Sequence, residues 1–191
     1  HLDKLKSDTR PQCEVNWPIK LAASNLPSVI PFPKIWRSIG TPLTDPTTEK
    51  TWRKLLHRAL NVLGRDSRHK SSTCRLGCAN ARETQIHLVC CRHTNTLWPD
   101  LLTFCNTLPK HDVSHSSIGS WPLAVIFGIH YGDTLLPWLT RATFRLALQA
   151  LYHHLTRFLL SHIPFSTNLV YFDTLTSLRS AAYAAVQEYR T

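Results

Sequence analysis

The sequence predicts a mainly α protein: a helical domain with a small zinc-knuckle-like insertion and an extended, proline-rich N-terminal arm. Three observations lead there. Apolar residues recur at three- and four-residue spacing over several stretches, the pattern of helices buried on one side. Strand-like alternation is confined to Asn168-Leu169-Val170-Tyr171-Phe172 and a short turn at the insertion. Seven of the twelve prolines fall in the first 46 residues.

Those seven are Pro11, Pro18, Pro27, Pro31, Pro33, Pro42 and Pro46. Proline fixes φ and has no N–H, which excludes a long helix or a central strand over residues 1–46. Trp17, Ile19, Leu21, Val29, Ile30, Phe32, Ile35 and Trp36 are too apolar for a free linker. The expectation is an extended arm lying on a surface, its own or a partner's. Residues 47–110 then form a basic helix plus a Cys/His module, and residues 111–191 a helical C-terminal domain.

Asp45-Pro46 is a helix start, with Asp at the N-cap and Pro at the first helical position. Trp52, Leu55, Leu56, Ala59, Val62 and Leu63 follow at helical spacing, and Gly64 supplies a stop. The other face carries Lys50, Arg53, Lys54, His57 and Arg58 with no intervening acid. Such a face is either simply solvated or set against phosphates. The chain has a formal net charge of +10, a balance that favours polyanionic partners over acidic small substrates. Between residues 50 and 92 stand ten Lys or Arg and only Asp66 and Glu83, so most of the positive charge sits there. Residues 65–73 are a basic, polar loop. Arg53, Lys54, Arg58, Arg65, Arg68, Lys70 and Arg75 are the candidate phosphate contacts, able to neutralise a backbone without reading bases.

Four soft ligands follow at short spacing: Cys74, three residues, Cys78, eight residues, His87, three residues, Cys91. Thiolate and neutral imidazole are what tetrahedral zinc takes, four at a time in a structural site. His87 and Cys91 are i and i+4, on one face of a helix. Cys90 is the alternate fourth ligand, and clustered buried thiols or a disulfide are the alternative readings.

The run Cys74-Arg75-x-Gly77-Cys78, then Arg82-Glu83-Thr84-x-x-His87-Leu88, a following Cys and Leu97-Trp98 resembles the zinc-binding segment of non-LTR (LINE-type) retrotransposon polyproteins. The match covers about 35 residues. In that family the segment lies downstream of the reverse transcriptase and usually has four residues between His and the last Cys. Here there are two or three. The resemblance implies a zinc-stabilised module that handles nucleic acid.

Beyond the insertion, Trp98-Pro99 opens a helix carrying Leu101, Leu102, Phe104, Cys105 and Leu108, with Cys105 in the core. Residues 110–120 form a polar connection that includes His111 and His115. Ser120-Trp121-Pro122 opens a short apolar helix reaching Tyr131-Gly132. Asp133 or Thr134 caps the longest helix, about residues 135–162. Phe144, Leu148, Leu151, Leu155, Phe158 and Leu159 form its apolar stripe. Arg141, Arg145, Gln149, His153 and Arg157 form a polar one, read as a solvated face or a secondary RNA contact. Pro164 ends it, and an Ala-rich helix spans about residues 173–189.

Catalytic machinery is hard to assemble from twelve scattered carboxylates. The paired Asp of a polymerase is missing, and Tyr171-Phe172-Asp173-Thr174 has a single Asp. Trp98-Pro99-Asp100 with Asp112 only faintly echoes the nuclease that follows the finger in site-specific elements. No Gly-rich phosphate loop is visible, and no apolar run approaches the 18 residues of a membrane span. The chain begins at His1, contains no Met and has no secretory signal, so a processed or partial product is expected. Removal of an organellar transit peptide or excision from a polyprotein would account for it. The cysteines fit a reducing compartment.

The functional expectation is a non-catalytic, basic RNA-binding structural subunit of an organellar ribonucleoprotein, a mitochondrial ribosome foremost, derived from a retrotransposon fragment. Zinc is its expected cofactor, and rRNA and neighbouring proteins are its partners. No small-molecule substrate and no membrane insertion are expected. The alternatives are a zinc-binding tail of a retrotransposon polyprotein, with a nuclear location, and a scaffold subunit of another organellar complex.

Overall fold

Helix α6 (Trp138–Ser161) is the axis about which the other elements pack. The computed structural model describes residues 11–39, 43–57, 73–79, 81–108, 111–131, 134–161 and 163–188. In chain order these are α1 (Gln12–Ala22), α2 (Phe32–Arg37), α3 (Pro46–Leu56), α4 (Gln85–Cys90) and α5 (Leu97–Asn106). A 3-10 turn (His115–Ser117), a π turn (Leu123–Phe127), a hairpin of β1 (Ile129–Tyr131) and β2 (Thr134–Leu135), α6 and α7 (Thr167–Glu188) follow. The chain is mainly helical, as expected from its periodicity.

From residue 11 onward the proline-rich segment is not an extended arm. Most of its prolines stand where helices begin. Pro11 and Pro31 occupy N-caps, Pro33 lies in the first turn of α2, and Pro46 opens α3. At those positions a missing N–H costs nothing. Pro18 alone sits inside a helix, and the segment accordingly yields two short helices. Cys13, Trp17 and Leu21, at four-residue spacing, bury one stripe of α1, and Phe32 and Ile35 bury α2. Residues 1–10 lie outside the described residues.

The core draws on every part of the chain at once. One buried cluster contains Trp17, Trp52, Leu101, Phe127 and Leu151, so the three stretches separated on composition share a single interior. Tryptophans tie it together through their indole N–H groups, each of which needs an acceptor when buried. Trp17 donates to the Leu56 carbonyl at the end of α3 (2.6 Å), and Trp52 to the Ile126 carbonyl (2.9 Å). Trp98 donates to the Val89 carbonyl of α4 (2.9 Å).

α3 begins as expected: the Asp45 carboxylate accepts from the Thr48 N–H at 2.8 Å. The helix closes at Leu56, with His57 as its C-cap. Ala59, Val62, Leu63 and Gly64 lie outside the described residues.

Farther along, local signals were overridden by packing. The apolar helix after Trp121 ends at Gly128, whose φ of +71° is left-handed. The chain then turns into the hairpin, with Ile129 opposite Leu135. Thr134 and Leu135 therefore pair as strand, and the long helix starts only after Pro137. The stretch Asn168 to Phe172 is helical within α7, because Val170 and Thr174 bury one turn apart against α6.

The polar stripe of α6 is not uniformly solvated. His153 and Arg157 are exposed, but Arg145 is buried. Its guanidinium donates to Glu49 Oε1 (3.1 Å) and to the Ser38 carbonyl (3.3 Å), and lies 3.8 Å above the Trp52 ring. Burial draws its pKa down, which the Glu49 charge opposes.

Gly128 supports a direct test. A Cβ there would fall 2.6 Å from Arg141 Cδ, and Arg141 is held by its hydrogen bond to the Leu136 carbonyl (2.8 Å). Gly128→Ala is expected to destabilise the chain by about 1–2 kcal/mol from the left-handed backbone alone. At about 2–4 °C per kcal/mol for a chain this size, Tm in a thermal melt should drop several degrees. An unchanged Tm would show that the turn relaxes freely.

Candidate metal centre

The insertion is built from a turn and a helix facing each other. Thr73 and Arg82 form an antiparallel bridge, and the Cys74 N–H donates to the Ala81 carbonyl at 2.8 Å. Between them the chain reverses: Gly77 N–H donates to the Cys74 carbonyl (3.0 Å), and Gly77 takes φ +79°. Only glycine reaches that conformation without strain. The turn brings Cys74 and Cys78 to the same side.

α4 supplies the other half. Thr84 is its N-cap, the hydroxyl accepting from the His87 N–H at 3.0 Å. That cap fixes where the helix starts and hence which way His87 points. Cys91, just past the helix, is held by its own carbonyl, which accepts from the N–H groups of Thr94 (2.8 Å) and Asn95 (2.9 Å). Trp98 and Thr94, donating to the carbonyls of Val89 and Leu88, anchor α4 to the core.

The four ligand atoms of Cys74, Cys78, His87 and Cys91 all lie within 4.8 Å of one another. The sulfurs of Cys74 and Cys91 are 3.8 Å apart, those of Cys78 and Cys91 3.3 Å. All are free thiols, so a disulfide is not what gathers them. Cys91 is buried and Cys90 exposed, and the cluster closes on Cys91. Among the described residues no other group of Cys, His, Asp and Glu could hold a metal ion.

The surroundings of His87 and Cys91 are compatible with a metal ion. His87 Nε2 is buried without a hydrogen-bond partner, a loss of about 1–3 kcal/mol if nothing else satisfies it. Burial also lowers the His87 pKa, with Glu83 opposing, which favours the neutral ring that ligates metals. Burial pushes the Cys91 thiol up to about 12, with the Cys78 and Cys74 sulfurs adding to the shift. A cation in their midst is what lets such thiols ionise together.

Behind the ligands lies an ion pair that sequence reasoning did not foresee. Glu83 is fully buried and accepts from the Arg75 backbone N–H (3.1 Å) and Nε (2.7 Å), and its other oxygen pairs with the Arg75 Nη2. The same guanidinium reaches the Leu155 carbonyl of α6 at 3.5 Å. Arg75 is therefore not a phosphate contact. Its charge is spent inside, locking the turn to the approach of α4. The available signal was the position of Arg75 and Glu83 inside the motif itself.

Of the other candidate cations, Arg53 and Lys54 are exposed on α3 beside Lys50 and His57. Arg58, Arg65, Arg68 and Lys70 lie outside the described residues. Arg92 and His93, directly after Cys91, are exposed and were missed. Arg92 donates to the Gly77 carbonyl at 2.9 Å and so closes the far side of the turn. No described helix is long and apolar enough to cross a membrane. Comparison of the chain with protein-family models, curated proteins and solved structures finds no match.

Proposed function

We propose that the chain is a zinc-stabilised, non-catalytic RNA-binding module, working as a structural part of a larger ribonucleoprotein. Zinc fits the ligand set. With Zn–S near 2.3 Å a tetrahedral site has S–S edges of about 3.8 Å, against 3.8 and 3.3 Å here. Cys74, Cys78, His87 and Cys91 would hold the ion, which supplies folding energy and no chemistry. The half-buried Glu49 and the buried Glu83 are engaged with arginines, which supports a non-catalytic reading.

One observation carries the RNA assignment. Glu49, the sole carboxylate within α3, pairs with Arg145, while Lys50, Arg53, Lys54 and His57 are exposed around a shallow hollow of about 580 Å³ that Glu49 and Pro46 also line. The outer face is left cationic, which suits a phosphate backbone.

Two settings share this activity. In one the chain is a subunit of an organellar particle, a mitochondrial ribosome foremost, reworked from a retroelement fragment. In the other it is the zinc-binding tail of a retrotransposon polyprotein. Both settings keep the retroelement-like motif. Several of its residues have work in the fold: Gly77 turns, Arg75 pairs with Glu83, Thr84 caps and Trp98 anchors.

RNA affinity of the zinc-loaded chain should fall steeply between 50 and 200 mM salt. Arg53→Ala and Lys54→Ala should each lower the slope of log K against log salt by about 0.7–0.9. Binding that stays flat across the titration would overturn the phosphate-contact reading. Sedimentation in native extract with and without RNase separates the settings. A large RNase-sensitive particle supports the subunit, and migration as a free small protein supports the tail.

A further inference from the structure

α7 buries only one side. Val170, Thr174 and Leu178 turn inward toward the core. On the opposite side Leu169, Phe172, Tyr183 and Val186 are 47%, 63%, 68% and 51% exposed. With Thr176 and Arg179, also exposed, they recur at alternating spacings of three and four. That is the seam one helix offers another. Single exposed apolar residues are ordinary, but a row at seam spacing marks an interaction surface.

The middle of the row is cationic. Arg179 makes no hydrogen bond or ion pair among the described residues. A second copy of α7 fits poorly for that reason. Parallel pairing sets Arg179 beside Arg179. Antiparallel pairing, with Leu169 against Val186 and Phe172 against Tyr183, leaves the two guanidinium stems about 4.5 Å apart along the axis. Like charges in adjacent layers of a seam oppose association.

We propose that this face docks an amphipathic helix of another protein, apolar at the seam positions and bearing a carboxylate opposite Arg179. The apolar residues supply contact area, and the one charge pair fixes register and rejects wrong partners. Toward its start the seam runs into a hollow of about 570 Å³ between α5 and α7, lined by Phe104, Tyr171 and Phe172 together with Asp100, Thr103 and Thr107. A large apolar side chain of the incoming helix seats there. The face shares no residue with the metal centre or the basic side of α3, so it stands independently of the RNA reading.

Two synthetic 21-residue amphipathic helices test it, with Leu at the seam positions and either Glu or Lys at the central one. Binding to the full chain is read by fluorescence anisotropy. The Glu peptide should bind at least 10-fold more tightly than the Lys peptide, and Arg179→Glu should reverse that order. Phe172→Ser with Tyr183→Ser, both exposed positions, should lose both peptides at unchanged Tm. Equal binding of the two peptides, or of neither, would overturn the proposal. So would a concentration-dependent dimer in sedimentation equilibrium that Arg179→Glu does not disturb, which would give the face to a second copy.

Discussion

Cys91→Ser is expected to abolish stoichiometric metal binding and to unfold residues 73–91, whereas Cys90→Ser should change neither. The sulfurs of Cys78 and Cys74 lie 3.3 and 3.8 Å from that of Cys91, which is buried where Cys90 is exposed. Besides the ligands, the turn around residues 73–82 is held by one bridge, two backbone hydrogen bonds, the Arg75–Glu83 pair, the Arg92 bond to the Gly77 carbonyl and a few apolar neighbours around Leu76 and Ala81. Structural zinc supplies an apparent ~10–16 kcal/mol in small modules at pH 7, far more than such contacts. Removing a ligand should therefore loosen the turn most and reach α6 and α7 less, although α4 shares their core. Metal content by mass spectrometry and amide exchange across residues 73–91 read the two effects separately. Cys74→Ser and His87→Ala should behave as Cys91→Ser does. Chelation of the unaltered chain should reproduce the same exchange pattern. If Cys90→Ser loses the metal and Cys91→Ser keeps it, the fourth ligand is Cys90. If all four variants melt like the parent, the cluster is a set of buried thiols.

The Cys/His cluster was legible because a candidate metal site shows in residue type and spacing, both visible in a sequence. Helix existence was legible for the same reason, in the four-residue recurrence of Trp52, Leu55 and Leu56 or of Leu148, Leu151 and Leu155. What was not legible depended on partners far away in the chain. Pro11, Pro31 and Pro33 read as an arm because proline opposes regular structure in general. Only the burial of Trp17 and Ile35 against distant residues shows that these prolines start helices. Arg145 read as a solvated cation because its neighbours on the wheel are polar. Glu49, 96 residues earlier, is what brings it inside. Gly128 gave no periodic warning that it would cut one helix short, since a left-handed turn is set by the strand pairing that follows. Asn168 to Phe172 carries strand-forming residues, yet a long α6 surface next to it rewards helix. There tertiary packing outweighed a local preference worth about 1 kcal/mol or less.

Glu83→Ala is expected to be the most damaging substitution outside the ligands, at about 3–5 kcal/mol. The Arg75 side chain is 5% exposed, and Glu83 is not exposed at all. Removing the carboxylate leaves a buried guanidinium without a counter-charge, and the desolvation already incurred is no longer offset. Glu83→Gln should cost less than Ala but still more than a surface change, because its amide NH2 would face donors where an acceptor stood. Arg75→Ala should lower Tm by a similar amount and leave the salt slope of RNA binding unchanged, since its charge never meets phosphate. Arg53→Ala should do the reverse. That opposite pattern separates a cation that builds the site from one that serves it. The double variant Arg75→Leu with Glu83→Leu should recover much of the lost stability, because an apolar pair of similar volume needs no compensation. If the double variant is as unstable as the sum of the singles, the pair is not coupled. Arg75 would then act through its bond to the Leu155 carbonyl, tying the metal centre to α6 instead of to its own turn.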